Sequence, residues 1–282
     1  MMQFKHSQMG LTMVELLVSL TISSFLVLGI TQVYLDSKRN SMFQQSQAGN
    51  QDSTRFAELT LNHLLGKAGY RRAPNQNMYL AFPDENVLSS HCSRFHKGEV
   101  VTGLKNSNTD VGFCLRYQPA IDGELICDGS TATLAKPNSF EHPALNETIY
   151  VAVKFEPHAE VEKGTLSCIS NKGTEWVELI EGVADMRIQY GLGDHVDEQA
   201  ADLEAYYKLR AVKPYVNAKQ WTHGEGVILT VRYALLLASR PNQRDSQESK
   251  AYKDWFGKVP TNDQRRIYQQ ASSTKPLRNM LP

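Results

Sequence analysis

From Leu16 to Leu35 the chain reads LLVSLTISSFLVLGITQVYL, twenty residues without a charged side chain. At a 1.5 Å rise per residue, a helix of that length spans about 30 Å, the hydrocarbon thickness of a bilayer. No water reaches the backbone in such a layer, so a helix that closes its own hydrogen bonds is the form that fits. No second stretch of this kind follows. Val227 to Ala238 comes nearest, but Arg232 interrupts it and a strand suits it better. A mean hydropathy of −0.40 agrees with one span and a water-facing remainder rather than several spans. With 41% hydrophobic and 21% charged residues, disorder throughout the chain is excluded. Lys+Arg 30 balances Asp+Glu 30, so no global basic field draws nucleic acid or anionic lipid.

A secretory signal has an apolar stretch of roughly 7–15 residues and then a small-residue cleavage site. The stretch here is longer and leaves through Gln32-Val33-Tyr34-Leu35-Asp36. A plain uncleaved anchor, with Lys5 on the inner side, is the other simple reading. Glu15 fits neither. A carboxylate at the edge of an apolar helix asks for a functional partner.

Met9-Gly10-Leu11-Thr12-Met13-Val14-Glu15-Leu16-Leu17-Val18 resembles the class III signal of type IV pilins and type II secretion pseudopilins. The resemblance implies a leader over residues 1–10, cut by prepilin peptidase between Gly10 and Leu11, with the new amine of Leu11 then methylated. Residues 11–35 stay in the inner membrane as a single-pass anchor and later enter the filament core. Glu15 stands at the fifth mature position, where the family's glutamate draws a neighbouring subunit's amine and sets axial register. Leu11 stands where Phe is usual, and only Lys5 and His6 are basic in the leader.

Residues 36–70 are expected to continue the helix. Ala57, Leu61, Leu64, Leu65 and Ala68 recur on one helical face, and Gly66, Gly69 and Pro74 mark the stop. From about Met78 the period changes to that of strands, giving a β-rich domain over 78–282. Ile149, Val151, Val153 and Phe155 alternate with Tyr150, Ala152, Lys154 and Glu156 as a half-buried strand. Met186, Ile188 and Tyr190 alternate likewise, and Val227–Ala238 suits a central strand. Shorter strand candidates are Val111–Tyr117, Glu124–Cys127 and Glu175–Ile180. Arg240 to Lys250 is read as a polar loop, with little pattern beyond it. A helix first and strands afterwards is an α+β order, and with the resemblance it implies a pilin-like fold with an antiparallel sheet.

Phe113-Cys114-Leu115-Arg116-Tyr117-Gln118, Cys127-Asp128-Gly129, Leu166-Ser167-Cys168, the run Leu179 to Met186, Gln189-Tyr190-Gly191 and Leu277-Arg278-Asn279 resemble minor pilins of the PilW type. Four cysteines on the far side of the span suggest two disulfides in an oxidising periplasm, among three connectivities. A hairpin near Ile121-Asp122 could set Cys114 opposite Cys127. The resemblance favours Cys127–Cys168, leaving Cys92–Cys114.

His91, Cys92 and His96 could form half a zinc site, but no second cluster is evident in the sequence. Asp194, Asp197, Glu198, Asp202 and Glu204 are too loosely spaced for a calcium loop and read as a solvated one. No metal or other cofactor is expected. There is no GxSxG, HExxH or P-loop, and Ser272-Ser273-Thr274-Lys275 lacks the companions of a catalytic S-x-x-K. Arg71-Arg72 and Arg265-Arg266 read as surface charges, with no nucleic-acid partner implied. The resemblance implies a non-catalytic minor pilin whose partners are other minor pilins, the major pilin and prepilin peptidase, and which passes from inner membrane to the pilus tip. A J-type secretion pseudopilin is the nearest alternative. A single-span periplasmic enzyme or sensor is a more distant one.

Overall fold

A computed structural model describes residues 12–73, 75–106, 110–136, 141, 144–194, 212, 214–244, 248–258 and 263–280. Helix α1 (Met13–Lys67) runs unbroken for 55 residues, about 80 Å at 1.5 Å per residue. Its buried residues begin only at Asn50 and continue through Thr54, Ala57, Leu61, Leu64 and Leu65. These sit at helical spacing on one face, so a single stripe docks on the domain. The helix ends at Lys67, slightly before the expected 70. The stop falls where the glycines mark it, with Gly69 at φ +73° just past the C-cap Ala68, and Asn279 Nδ2 donates to the carbonyls of Gly66 and Ala68, both at 3.0 Å. These are carbonyls of the kind that a last helical turn leaves over. The Gly69 N–H then donates to Arg116 O at 2.9 Å and draws the chain onto the sheet.

Two antiparallel sheets follow. The first has β1 (Val101–Thr102), β2 (Val111–Tyr117), β3 (Ile149–Glu156), β4 (Thr165–Ser170) and β5 (Val177–Glu181) in sequence order. The second has β6 (Val183–Gly193), β7 (Tyr215–Asn217), β8 (Val227–Ala238) and β9 (Tyr268–Pro276) in the order β7-β6-β8-β9. The molecule is therefore α+β, a long helix laid on antiparallel sheet. Gly182 alone separates β5 from β6, with φ at +88°, a conformation that side-chain-bearing residues rarely adopt. Its carbonyl accepts from the Ala238 N–H at 2.9 Å, so the chain changes sheet there without losing its ladder.

The apolar stripe of α1 and the inner faces of both sheets share one core, including Leu61, Leu65, Phe113, Leu115, Val151, Val153, Tyr190, Val231 and Tyr233. The Tyr233 hydroxyl reaches Asn62 Oδ1 at 2.9 Å and Glu58 O at 3.3 Å, fixing β8 to the helix. Burial pushes this phenol up to about 12, so it stays a neutral donor.

Strand β3 is not half-buried. Its second face carries Tyr150 and Ala152 into a smaller core with Cys92, Phe95, Leu104, Cys114 and Ile169. The segment before β1 covers that face and removes the alternation's usual meaning. Glu124–Cys127 forms no strand; it is a turn held by a lone bridge between Leu125 and Thr131. Beyond Lys250 the chain is more ordered than its pattern suggests. Helix α3 (Lys250–Phe256) follows the short α2 (Met78–Ala81) in chain order. Trp255 pins α3 to β6, its Nε1 donating to Asp185 Oδ2 at 2.6 Å under the Arg187 guanidinium. Strand β9 pairs with β8 from Tyr268 to Pro276.

Two of the four paired arginines are not surface charges. Arg72 is buried and donates to Ala120 O at 2.7 Å, and buried Arg266 pairs with Glu162 at 2.7 Å. Each was drawn inward by carbonyls or a carboxylate that a sequence pattern does not display.

Candidate functional site

The N-terminal part of α1 is built for contact with something outside this chain. Leu16, Leu17, Val18, Leu20, Ile22, Phe25, Leu26, Val27, Leu28, Ile30 and Val33 are all at least half exposed, Phe25 by 75%. This is the one described helix long and apolar enough to cross a membrane. Its hydroxyls do not spoil that surface. Ser19, Thr21, Ser24 and Thr31 donate to Leu16, Val18, Thr21 and Val27 carbonyls at 2.7–2.9 Å. Closed on their own backbone, they can enter a layer that offers no water.

Glu15 finds a local partner. Thr12 caps the helix: its Oγ1 accepts from the Glu15 N–H at 3.3 Å, and its N–H and Oγ1 donate to Glu15 Oε2 at 2.9 Å. This reciprocal arrangement is a capping box. It holds the carboxylate at the start of the helix, on the exposed surface, with both bonds on one oxygen. Gly10 and Leu11, the expected cleavage and methylation positions, lie outside the described residues.

The cysteines sit in the domain as the disulfides Cys92–Cys114 and Cys127–Cys168, the pairing that the resemblance favours. Cys114 faces Ala152 across the ladder, so β2 pairs with β3 and no hairpin brings Cys114 to Cys127. Cys92 is thus unavailable to a metal, and His91 packs edge-on against Trp176. His96 turns elsewhere, to Glu99 and His223. Of the acidic loop, Asp194 is described, while Asp197, Glu198, Asp202 and Glu204 lie outside the described residues. Ser272 and Lys275 both lie on β9. At a separation of three they point to opposite faces of the strand and cannot act on one group.

Residues 156–279 match the family model described as Type IV Pilus-assembly protein W. The matched stretch starts at the end of β3, holds the crossover at Gly182 and the whole second sheet, and closes at Asn279, the residue that caps α1. A type IV-like pilin from Thermus thermophilus matches at 11% identity and a TM-score of 0.41, over 81% of this chain and 97% of its own. No curated protein matches the chain. The match relates residues 156–279 to a pilus-assembly family, and α1 is long and apolar enough to span a membrane.

Two residues that organise the domain stand in runs that carry the resemblance, but no periodicity or spacing announces what they do. Asn279 is a polar residue near the end of the chain with no local pattern around it. Arg116 reads as an outward charge in an alternating strand, yet it is fully buried between the rings of Phe82 and Phe95. It donates to the carbonyls of Phe82, Pro83, His96 and Glu99 at 2.6–3.1 Å. An alternating pattern gives no hint that a neighbouring loop will supply four acceptors.

Proposed function

We propose that this chain is a non-catalytic minor pilin, held in the inner membrane by α1 with its sheets in the periplasm, and later incorporated near the tip of a type IV pilus. The observation that carries the reading is one continuous helix whose first part is bare and apolar and whose second part docks on a PilW-type domain. A bare apolar helix must be covered, first by lipid and then by the helices of other pilins. Two disulfides suit an oxidising compartment. Prepilin peptidase removes residues 1–10, and the methylated amine of Leu11 becomes the N-terminus. Glu15, with the Thr12 donors both on Oε2, meets the amine of a neighbouring pilin through its carboxylate. In an apolar layer that pairing recovers much of the cost of both charges.

A deletion strain tests the reading. Loss of surface pili with protein secretion intact supports it, and the reverse result assigns the chain to a secretion filament. Mass spectrometry of the membrane-extracted protein should show a chain that begins with N-methyl-Leu11. A wild-type chain beginning at Met1 in cells with active prepilin peptidase overturns the filament reading.

A further inference from the structure

His96, Glu99 and His223 converge although 124 residues separate the last two. Their ligand atoms lie within 4.8 Å of one another. His223 Nδ1 is 2.6 Å from Glu99 Oε1, and the two imidazoles stack with centroids 3.5 Å apart. The Glu99 side chain is only 3% exposed, while the imidazoles are 37% and 39% exposed. A buried carboxylate thus faces two rings that solvent can still reach.

The first pair of ligands is fixed from behind. His96 and Glu99 are the ends of a tight turn, closed by the Glu99 N–H on His96 O at 3.0 Å. Gly98 makes the turn possible, with φ at +77° and the Tyr79 ring where a Cβ would stand. The His96 N–H donates to Glu99 Oε2 at 3.0 Å and orients the carboxylate. Arg116 holds the carbonyls of both residues from inside the domain, at 2.7 and 2.6 Å. His223 comes from the other sheet, on the short 3-10 turn His223–Glu225 just before β8. Asp84 Oδ1 lies 3.5 Å from His96 Nδ1 and is shared with Arg94 at 3.6 Å.

We propose that His96, Glu99 and His223 bind a late first-row divalent metal ion, zinc(II) by preference, which joins the turn before β1 to the turn before β8. Two imidazoles and one carboxylate are a donor set that zinc accepts with a fourth position left open. A tetrahedral zinc ion with bonds of about 2.0–2.1 Å holds its ligand atoms roughly 3.3 Å apart. Binding requires the two imidazoles, each more than a third exposed, to turn about their side-chain torsions while Glu99 stays where the turn holds it. Asp84 serves as the partner that orients His96, as carboxylates commonly do behind a ligating histidine. The ion would also offset the charge of a carboxylate withdrawn from water.

The test uses the untagged full-length protein in detergent, stripped with EDTA and titrated with zinc(II) by calorimetry. One equivalent should bind, and the melting temperature should rise by several degrees. His96→Gln and His223→Gln should each weaken binding at least tenfold, and His91→Gln should not. Cobalt(II) should give the visible bands of a tetrahedral site, lost in His223→Gln, and peptide mapping should find both disulfides intact in each variant. Less than one equivalent bound at micromolar zinc, or binding that survives the double replacement of His96 and His223 by Gln, overturns the site. So does calcium binding as tightly as zinc.

Discussion

Met13 to Leu35 and Asn50 to Lys67 belong to one continuous helix, yet the first stretch exposes its apolar side chains all round and the second buries those of one face, Ala57, Leu61, Leu64 and Leu65. The first is apolar nearly all round, as a helix must be when lipid or other helices will surround it. The second is apolar along a single stripe, because one side meets the sheets and the other meets water. The contrast teaches that apolar area has different meanings within one element: in the first stretch it is continuous and bare, while in the second it is sealed on the docked face, with only Phe56 and Leu59 left exposed on the other.

The comparison breaks most sharply at a leucine. Leu61 is fully buried, so Leu61→Ala should cost about 2–5 kcal/mol of domain stability through lost burial and the cavity left behind. Leu26→Ala, in the exposed stretch, should change it by less than about 0.5 kcal/mol. Urea denaturation of the detergent-solubilised chain, followed by Trp fluorescence, measures both. Equal losses would mean that the two stretches are not independent.

The platform under the docked stretch comes next. Cys127 and Cys168 are 41 residues apart, and replacing both with Ser should cost about 3–4 kcal/mol by freeing the unfolded chain. The same denaturation experiment reads it as a lower midpoint. Asn279→Ala should cost only about 1 kcal/mol, since it removes donors from carbonyls that water can partly serve. Hydrogen exchange should show the loss first in the last turn of α1. Glu15→Ala has the smallest expected effect on stability, with the midpoint unchanged because the residue lies far from the domain. Co-purification with partner pilins and surface piliation should both fall, though only partly, since the domain also contributes contacts. Wild-type values for both would leave Glu15 as a capping residue and nothing more.

Much of this was legible in the chain itself. The charge-free run from Leu16 to Leu35 and the spacing of Ala57, Leu61, Leu64, Leu65 and Ala68 define both parts of α1, because a helix writes its environment into every third and fourth residue. Strands β3, β6 and β8 were visible through their alternating or continuous apolar residues. Strand β9 was not: YQQASSTKP has no apolar alternation, and its place is set by backbone bonds to β8. The outer face of β3 misled for a related reason, since a loop distant in sequence covers it.

Sequence alone therefore determined where the chain leaves water, where its helix turns amphipathic, and which strands form the centre of each sheet. These follow from solvation, which acts on each side chain according to its own polarity and repeats with the local backbone period. Tertiary structure alone decided that Asn279 caps the end of α1, that Arg116 lies buried among four carbonyls, and that His223 meets His96 and Glu99. Those pairings join groups far apart in the chain. A hydrogen bond or a shared ligand geometry leaves no periodic mark on either partner, so only the folded path of the backbone brings them together.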